Sequence, residues 1–399
     1  MTERQVYMDH SATTAVDRGV LEAMLPFFSE EYGNPNSLHA WGRRARKAVN
    51  EAREKVAALI GADASEVIFT GGGSEADNLA IKGSTSMRKD KGRHVITTAI
   101  EHHAVMDAFG WLDKQGFDVT VLPVDDKALV SVTELEKAIR PDTILFSMMF
   151  ANNEVGTIQP VAEAAKICRD RGILFHVDGV QAAGHVPFNV QDLGVDMLTM
   201  SAHKMYGPKG VGGLYLRKGV RVEPIVHGGG QERGLRSGTE NTAGIVGFGA
   251  AAELAVRRLA DGSIDEEARL RDLLIKRVTS SIEEAFLTGH PTQRLPFLAS
   301  FCIGSLEGES MLLRLDAAGI GASSGSACTS GSLEPSHVLL AMGLAHEVAH
   351  GSLRFSLGKD TTEEDIVYVA ENLERIVADL RALPPLWKTR GRSHVHRTS

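Results

Sequence analysis

The chain has 399 residues, of which 43% are hydrophobic and 6% are aromatic, and its formal net charge is −8. This composition predicts a soluble, folded protein with room for more than one domain, and the acidic balance argues against a general nucleic-acid-binding protein. The amino-terminal stretch MTERQVYMDH lacks the apolar core of a signal peptide, and the three cysteines form no CxxC pair. We therefore predict a cytoplasmic protein without a disulfide framework or a zinc site.

Short β-branched runs alternate with helical patterns in the first part of the chain. In order they are EVIFT, HVITT, DVTVLPV, TILFSMM, ILFHVD and DMLTMS, and each predicts a strand. This alternation is typical of an α/β domain with a mostly parallel sheet. After about residue 245, long helical patterns surround the isolated strand candidates LASFCI and SLRFSLG, which indicates a smaller α+β domain.

Two helices can be placed closely from their patterns. The segment AWGRRARKAVNEAREKVAALIG predicts a helix that ends at Gly61, with Trp41 among its buried residues. The last helix begins in TTEEDI, where Thr361 and Glu364 have the spacing of a capping box.

A glycine turn joins the first of these strands to a helix in EVIFTGGGSEADNLA. Free N–H groups and the positive helix end converge there, which suits a phosphate group. The turn has neither the GK[ST] of a Walker loop nor the GxGxxG of a dinucleotide site. Taken alone, a turn that eases helix–sheet packing explains it equally well.

Two later strands end in polar residues. Asp178 and Gln181 follow ILFHV, while Ser201, His203 and Lys204 lie at the end of DMLTMS. Ligands bind at this edge in open α/β sheets, although Asp178 alone could be a helix cap and Lys204 alone a surface charge.

Together with the glycine turn, these residues match the needs of pyridoxal phosphate. That cofactor requires a lysine for its Schiff base, an acid beside its ring nitrogen and donors for its phosphate. We assign the lysine to Lys204, the acid to Asp178, and the phosphate donors to a set of four residues: Gly73, Ser74, Ser201 and His203.

Histidine and cysteine supply two more candidates. Either His102 or His103 in TAIEHHAVMD could stack on the ring or shuttle protons. Cys328 lies in ASSGSACTSGS, a stretch of small uncharged residues that predicts a mobile loop. Cys168 and Cys302 are predicted to be core residues.

Nearly the whole chain resembles the class I cysteine desulfurases of the NifS and IscS type, within the pyridoxal-phosphate-dependent class-V aminotransferases. The stretches that carry the resemblance are YMDHSATTAVD, EYGNPNSLH, EHHAV, ANNEVGTIQP, HVDGVQAAG, SAHKMYGPKGVGGLYLR, GGGQERGLRSGTEN, SSGSACTSGSLEPSHV and HGSLRFSLG. The lysine box and the cysteine loop are the most specific of them.

The resemblance implies a pyridoxal-phosphate transferase of fold type I, with a mostly parallel seven-stranded sheet. Residues 16–257 would form the large α/β domain, and residues 1–15 and 258–387 the small α+β domain that carries the cysteine loop. Residues 388–399 would be a disordered basic tail. A homodimer is implied as well.

The resemblance also implies roles for single residues. Lys204 would carry the cofactor, Asp178 would pair with its ring nitrogen, and His102 would stack on the ring and handle protons. Asn153 and Gln181 would bind its hydroxyl side. Its phosphate would be held by Gly73, Ser74, Ser201, His203 and Thr239 of the partner subunit. The substrate L-cysteine would be bound by Asn34, Asn153 and Arg354.

In this family pattern Cys328 takes the sulfur of L-cysteine as a persulfide and L-alanine leaves. The sulfur then passes to an iron-sulfur scaffold protein or another acceptor, and it transiently ligates the nascent cluster; no resident metal is expected. An aminotransferase, a selenocysteine lyase and a catalytically inactive assembly platform are the alternatives. The mobile cysteine counts against the first, and the intact site residues count against the last.

Overall fold

The computed structural model of the chain describes residues 4–325 and 334–383. Cys328 and the predicted tail at 388–399 lie outside the described residues. Among the described helices, none combines the length and apolar character that crossing a bilayer requires.

A large sheet with seven strands forms the centre of the described chain, with the strand order β2-β8-β7-β6-β5-β3-β4. The bounds of its strands are β2 Val67–Thr70, β3 His94–Thr98, β4 Asp118–Leu122, β5 Thr143–Met149, β6 Leu174–Asp178, β7 Met197–Ser201 and β8 Gly212–Leu216. Strands β5, β6 and β7 are buried along their whole length, as the continuous apolar runs of a covered parallel sheet require. The predicted mostly parallel α/β sheet is confirmed.

One strand of this sheet was absent from the prediction. Strand β8 pairs antiparallel with both β2 and β7, so the sheet is parallel only from β7 to β4. Its sequence GGLYL begins with two glycines and lacks the β-branched residues by which strands are recognised.

Two smaller sheets lie outside the large one. Strand β1, Val6–Tyr7, pairs parallel with β11, Ile320–Gly321. Strand β10, Leu298–Ile303, pairs antiparallel with β9, Ala285–Leu287, on one side and with β12, Ser352–Ser356, on the other. An isolated bridge between Asp9 and Ser356 ties the amino-terminal segment to β12.

The helices cover both faces of the large sheet and the small sheets, as the fold class predicts. Their bounds are α1 Arg18–Met24, α2 Pro26–Ser29, α3 Ala40–Ile60, α4 Gly73–Arg88, α5 His103–Lys114, α6 Val132–Ala138, α7 Val161–Arg171, α8 Val190–Leu193, α9 Thr242–Ala260, α10 Ser263–Ser281, α11 Gly308–Ala317, α12 His337–Ala341, α13 His346–Ala349 and α14 Glu363–Ala382. Helix α9 runs across the predicted domain boundary at 257/258, and the division of the chain into domains stays a prediction.

Two details of the helix prediction were wrong. Helix α3 ends at Gly61 in a left-handed conformation as predicted, but Trp41 is 48% exposed because it lies in the first turn on the solvent side. The capping box of α14 starts one residue later than predicted: Thr362 Oγ1 accepts from the Asp365 N–H (3.2 Å), and Asp365 Oδ2 accepts from the Thr362 N–H (3.0 Å).

Candidate active site

A cavity of about 280 Å³ opens at the carboxyl ends of β5, β6 and β7, where the sequence placed its polar candidates. Ten of the predicted site residues line it: Gly73, Ser74, His102, Asn153, Asp178, Gln181, Ser201, His203, Lys204 and Arg354. The fold therefore brings together side chains that lie up to 281 residues apart in the chain, from 73 to 354.

The glycine turn forms one end of this cavity. Strand β2 ends at Thr70 and α4 begins at Gly73, and Gly72 caps the helix without any side chain that accepts from its first N–H groups. A Cβ atom on Gly73 would lie 3.0 Å from Val180 Cγ2, and one on Gly212 would lie 2.6 Å from the carbonyl carbon of Gly72. The turn is thus packed tightly against the sheet and leaves its backbone N–H groups available to an anion.

Lys204 follows β7 in a single 3-10 turn, Ala202–Lys204. Its Nζ donates to the carbonyl oxygens of Ser11 (2.5 Å) and Ala12 (2.7 Å). The Gln181 side chain donates to the same Ser11 oxygen at 3.0 Å. The amino-terminal segment is therefore a wall of the cavity, which the sequence motifs did not indicate.

Asp178 is the last residue of β6 and is buried, with its Oδ1 accepting from the Val180 N–H at 3.0 Å. Burial raises the pKa of Asp178, whereas the Val180 hydrogen bond and the charges of His102 and Lys204 lower it. A cationic ring nitrogen placed against this carboxylate would favour its ionised form further.

A second acid, Asp77, lies at the same cavity and was absent from the sequence prediction. It is 2% exposed, its Oδ1 has no hydrogen-bond partner among the described residues, and that oxygen lies 3.6 Å from His176 Nε2. Burial and the neighbouring Asp178 raise the pKa of Asp77 well above its ordinary value. Of the two carboxyl groups, Asp77 is therefore the one that keeps its proton.

His102 is the N-cap of α5, and its Nδ1 accepts from the Ala104 N–H at 3.1 Å. Burial lowers the pKa of His102, so the neutral ring is favoured. Because Nδ1 is an acceptor, the neutral ring carries its proton on Nε2. His103 is absent from the cavity lining, and its ring lies 5.3 Å from that of His337, which leaves His102 as the histidine at the cavity.

Arg354 lies on β12 and is 2% exposed, although its side chain lines the cavity. Its Nη2 pairs with Asp9 Oδ1 at 2.9 Å and its Nη1 donates to the Asn153 carbonyl oxygen at 3.0 Å. Its buried Nε has no acceptor among the described residues. Sequence reasoning missed Asp9, for which the only available signal was its place in the motif YMDHSATT.

The described chain matches the family model "Aminotransferase class-V" over residues 6–369. The chain belongs to the class-V aminotransferase family. Two relatives of this class-V aminotransferase are "Cysteine desulfurase IscS" of Clostridium botulinum (strain Hall / ATCC 3502 / NCTC 13319 / Type A), 53% identical over 387 residues that cover 96% of this chain and 97% of the relative, and "Cysteine desulfurase" of Nostoc sp. (strain PCC 7120 / SAG 25.82 / UTEX 2576), 49% identical over 380 residues that cover 95% and 94%.

Solved structures of similar proteins share the fold of this class-V aminotransferase. One named "NIFS-LIKE PROTEIN" superposes with a TM-score of 0.89 at 41% identity and covers 94% of this chain and 100% of its own. Another, "SspA in complex with cysteine", has a TM-score of 0.79 at 35% identity and covers 89% of this chain and 99% of its own. The predicted fold type and family are confirmed.

Pyridoxal phosphate is the cofactor of this class-V aminotransferase family, and the cavity fits it. The N–H groups at the start of α4 and the hydroxyls of Ser74 and Ser201 suit its phosphate. The buried carboxyl of Asp178 suits its ring nitrogen, and Lys204 supplies the amine for covalent attachment.

Three predicted residues are not brought into the cavity by this single chain. Asn34 and Thr239 are exposed and do not line the cavity that the described residues form. Cys328 lies outside the described residues. Cys168 and Cys302 are 1% and 0% exposed, and burial raises the pKa of each thiol to about 12, which confirms them as core residues. Within residues 4–325 and 334–383, no group of three or more histidine, cysteine or acidic side chains is arranged to hold a metal ion.

Proposed function

We propose that this protein is a cysteine desulfurase, which removes sulfur from L-cysteine and releases L-alanine. One observation carries the proposal: a single cavity holds Lys204, Asp178, His102 and Arg354 together. These four residues supply an amine for the cofactor, an acid for its ring nitrogen, a neutral histidine and a cation for the substrate carboxylate. The names of the relatives, at about half identity over nearly the full chain, support the same activity.

Each of these side chains has a task that follows from its contacts. Pyridoxal phosphate, when bound, withdraws electrons from an amino acid joined to it, and so prepares the substrate for loss of sulfur. His102 gives or takes its proton at Nε2, because Nδ1 is occupied by the Ala104 N–H. Arg354 binds the carboxylate of L-cysteine, for which its buried Nε is a donor without an acceptor in the described chain.

Cys328 is proposed as the sulfur acceptor. Its thiolate attacks the sulfur of the substrate, so that an S–S bond forms and the C–S bond of the substrate breaks. The electron pair of the broken bond stays on the substrate carbon, which takes up a proton and leaves as alanine. The persulfide sulfur is then passed to an iron-sulfur scaffold protein or another acceptor, and a nascent cluster is cargo that the Cys328 sulfur ligates transiently.

A homodimer in the cytoplasm is part of the proposal. Exposed apolar side chains cluster in sequence on and around α1, α2 and α3, and a second subunit would cover them: Leu21, Leu25, Phe28, Tyr32, Leu38 and Trp41. Thr239 is exposed, as expected for a residue that reaches the phosphate of a neighbouring subunit.

The test is incubation of the holoenzyme with L-cysteine and dithiothreitol while alanine and sulfide are measured together. We expect equal amounts of both products from the wild type and neither product from Cys328→Ala, which keeps its absorbance at about 400 nm. Cys168→Ala is the matched control and should remain active, because this cysteine lies in the core away from the cavity. Alanine formation by Cys328→Ala at the wild-type rate would refute the role of Cys328.

A further inference from the structure

Glu154 is a buried acid that the proposed chemistry does not use. It follows Asn153 in the chain and is only 4% exposed, yet it is not among the residues that line the active-site cavity. A buried carboxyl is costly unless its oxygens are hydrogen-bonded, so its partners indicate what it does.

The first partner is Ser336, the N-cap of α12. Its Oγ accepts from the N–H groups of Val338 (3.1 Å) and Leu339 (3.3 Å), so both of its lone pairs are used. The remaining hydroxyl proton is donated to Glu154 Oε2. Glu154 is thereby fixed to the start of α12, on the carboxyl side of residues 326–333.

The second partner lies on the amino side of the same residues. A Cβ atom on Gly325 would lie 2.9 Å from Glu154 Oε2 and 3.0 Å from Ser336 Cβ, so the backbone of Gly325 approaches the same carboxyl oxygen. Just before it, Ser323 pairs with Arg354 through two backbone hydrogen bonds, at 2.6 Å and 3.2 Å. The chain is thus held to β12 as it enters residues 326–333.

We propose that Glu154 is a positioning residue that ties together the two ends of the segment which carries Cys328. One carboxyl oxygen meets both ends, Gly325 on one side and Ser336 on the other. The ends separate only when a buried hydrogen bond to this acid is broken, which is unfavourable. The inference rests on the proposed function, in which Cys328 must reach both the substrate and an acceptor.

The reactivity of the Cys328 thiol measures this tie without any turnover. The other two cysteines are buried with pKa values raised to about 12, so iodoacetamide added to the native holoenzyme reports on residue 328. The variant Cys328→Ser sets the baseline. We expect Glu154→Ala and Ser336→Ala to be alkylated about tenfold faster than the wild type, which corresponds to about 1.4 kcal/mol.

Two variants separate the hydrogen bond from other effects. Glu154→Gln keeps a carbonyl acceptor for the Ser336 hydroxyl but has no charge, and we expect an alkylation rate within about twofold of the wild type. Ser131→Ala removes the serine N-cap of the distant helix α6 and should leave the rate unchanged. If Glu154→Gln reacts as fast as Glu154→Ala, the charge and not the hydrogen bond is responsible, and the proposal fails.

A double variant supplies the decisive comparison. If Glu154 and Ser336 act through one hydrogen bond, Glu154→Ala with Ser336→Ala reacts no faster than either single variant, whereas independent effects multiply. Multiplied rates, or wild-type rates in both single variants, overturn the proposal. Should Glu154→Ala fail to fold, Ser336→Ala against Ser336→Thr, which keeps the hydroxyl, decides in the same way. Failure of the proposed function is seen separately, as alanine formation by Cys328→Ser.

Discussion

Replacing Arg354 by alanine tests whether this side chain binds the substrate carboxylate. The substitution removes a guanidinium that is 2% exposed and breaks its pair with Asp9. Breaking a buried pair costs about 3–5 kcal/mol of unfolding free energy, and the lower end applies here because the Asp9 side chain is 18% exposed. Loss of charge-assisted hydrogen bonds to the carboxylate costs a further 1.5–3 kcal/mol or so in binding, which raises KM about 10- to 100-fold.

The assay is the initial rate of alanine formation against L-cysteine concentration, with thermal unfolding measured alongside. Arg294→Ala is a matched control, since Arg294 is 3% exposed and donates to main-chain oxygens, among them those of Val155 (3.0 Å) and Leu298 (3.2 Å), without lining the cavity. We expect the control to lower the melting temperature and leave KM unchanged. An unchanged KM in Arg354→Ala, or an equal rise in both variants, would refute the assignment.

Three further substitutions have defined outcomes. Lys204→Ala should lose the absorbance at about 400 nm and all turnover, because the covalent attachment of the cofactor is removed. His102→Ala should keep that absorbance but lower kcat about a hundredfold or more, as expected for loss of a proton-transfer group; an unchanged kcat would exclude this role. Burial raises the pKa of Glu101 from 4.5 to about 8. The folded chain therefore holds a proton that the unfolded chain loses above about pH 4.5, and the free energy of unfolding falls as the pH rises toward 8. Urea unfolding between pH 5 and 8 should show a flatter dependence for Glu101→Gln.

The parts of the fold that the sequence predicted are those with a local signal. Strands β5, β6 and β7 are long apolar runs, and the residues at their ends, such as Asp178 and Lys204, necessarily meet at one sheet edge. Strand β8 was missed because its glycines are required by a contact in space: a side chain on Gly212 would collide with the backbone of Gly72. Glycine-rich strands carry little local preference for extended structure.

Partners that are distant in the chain escaped prediction for a related reason. Asp9 and Arg354 are 345 residues apart, and Glu154 and Ser336 are 182 apart. Each of these four residues, read alone, is an ordinary polar residue, and only the fold shows which of them meet. Thr239 differs again, because its proposed role depends on a second chain.

The contacts of the amino-terminal segment determine when the cavity can form during synthesis. Val6 and Tyr7 pair with residues 320 and 321, Asp9 waits for Arg354, and the carbonyl oxygens of Ser11 and Ala12 receive Lys204. At about 5–20 residues per second, a ribosome needs about 20 to 70 s to add the 345 residues between Asp9 and its partner. The nascent large sheet can assemble in that interval, but its ligand pocket stays open on one side until translation is nearly finished. Cofactor capture is therefore expected as a late, post-release event, and chains stalled before strand β12 should not retain the vitamin.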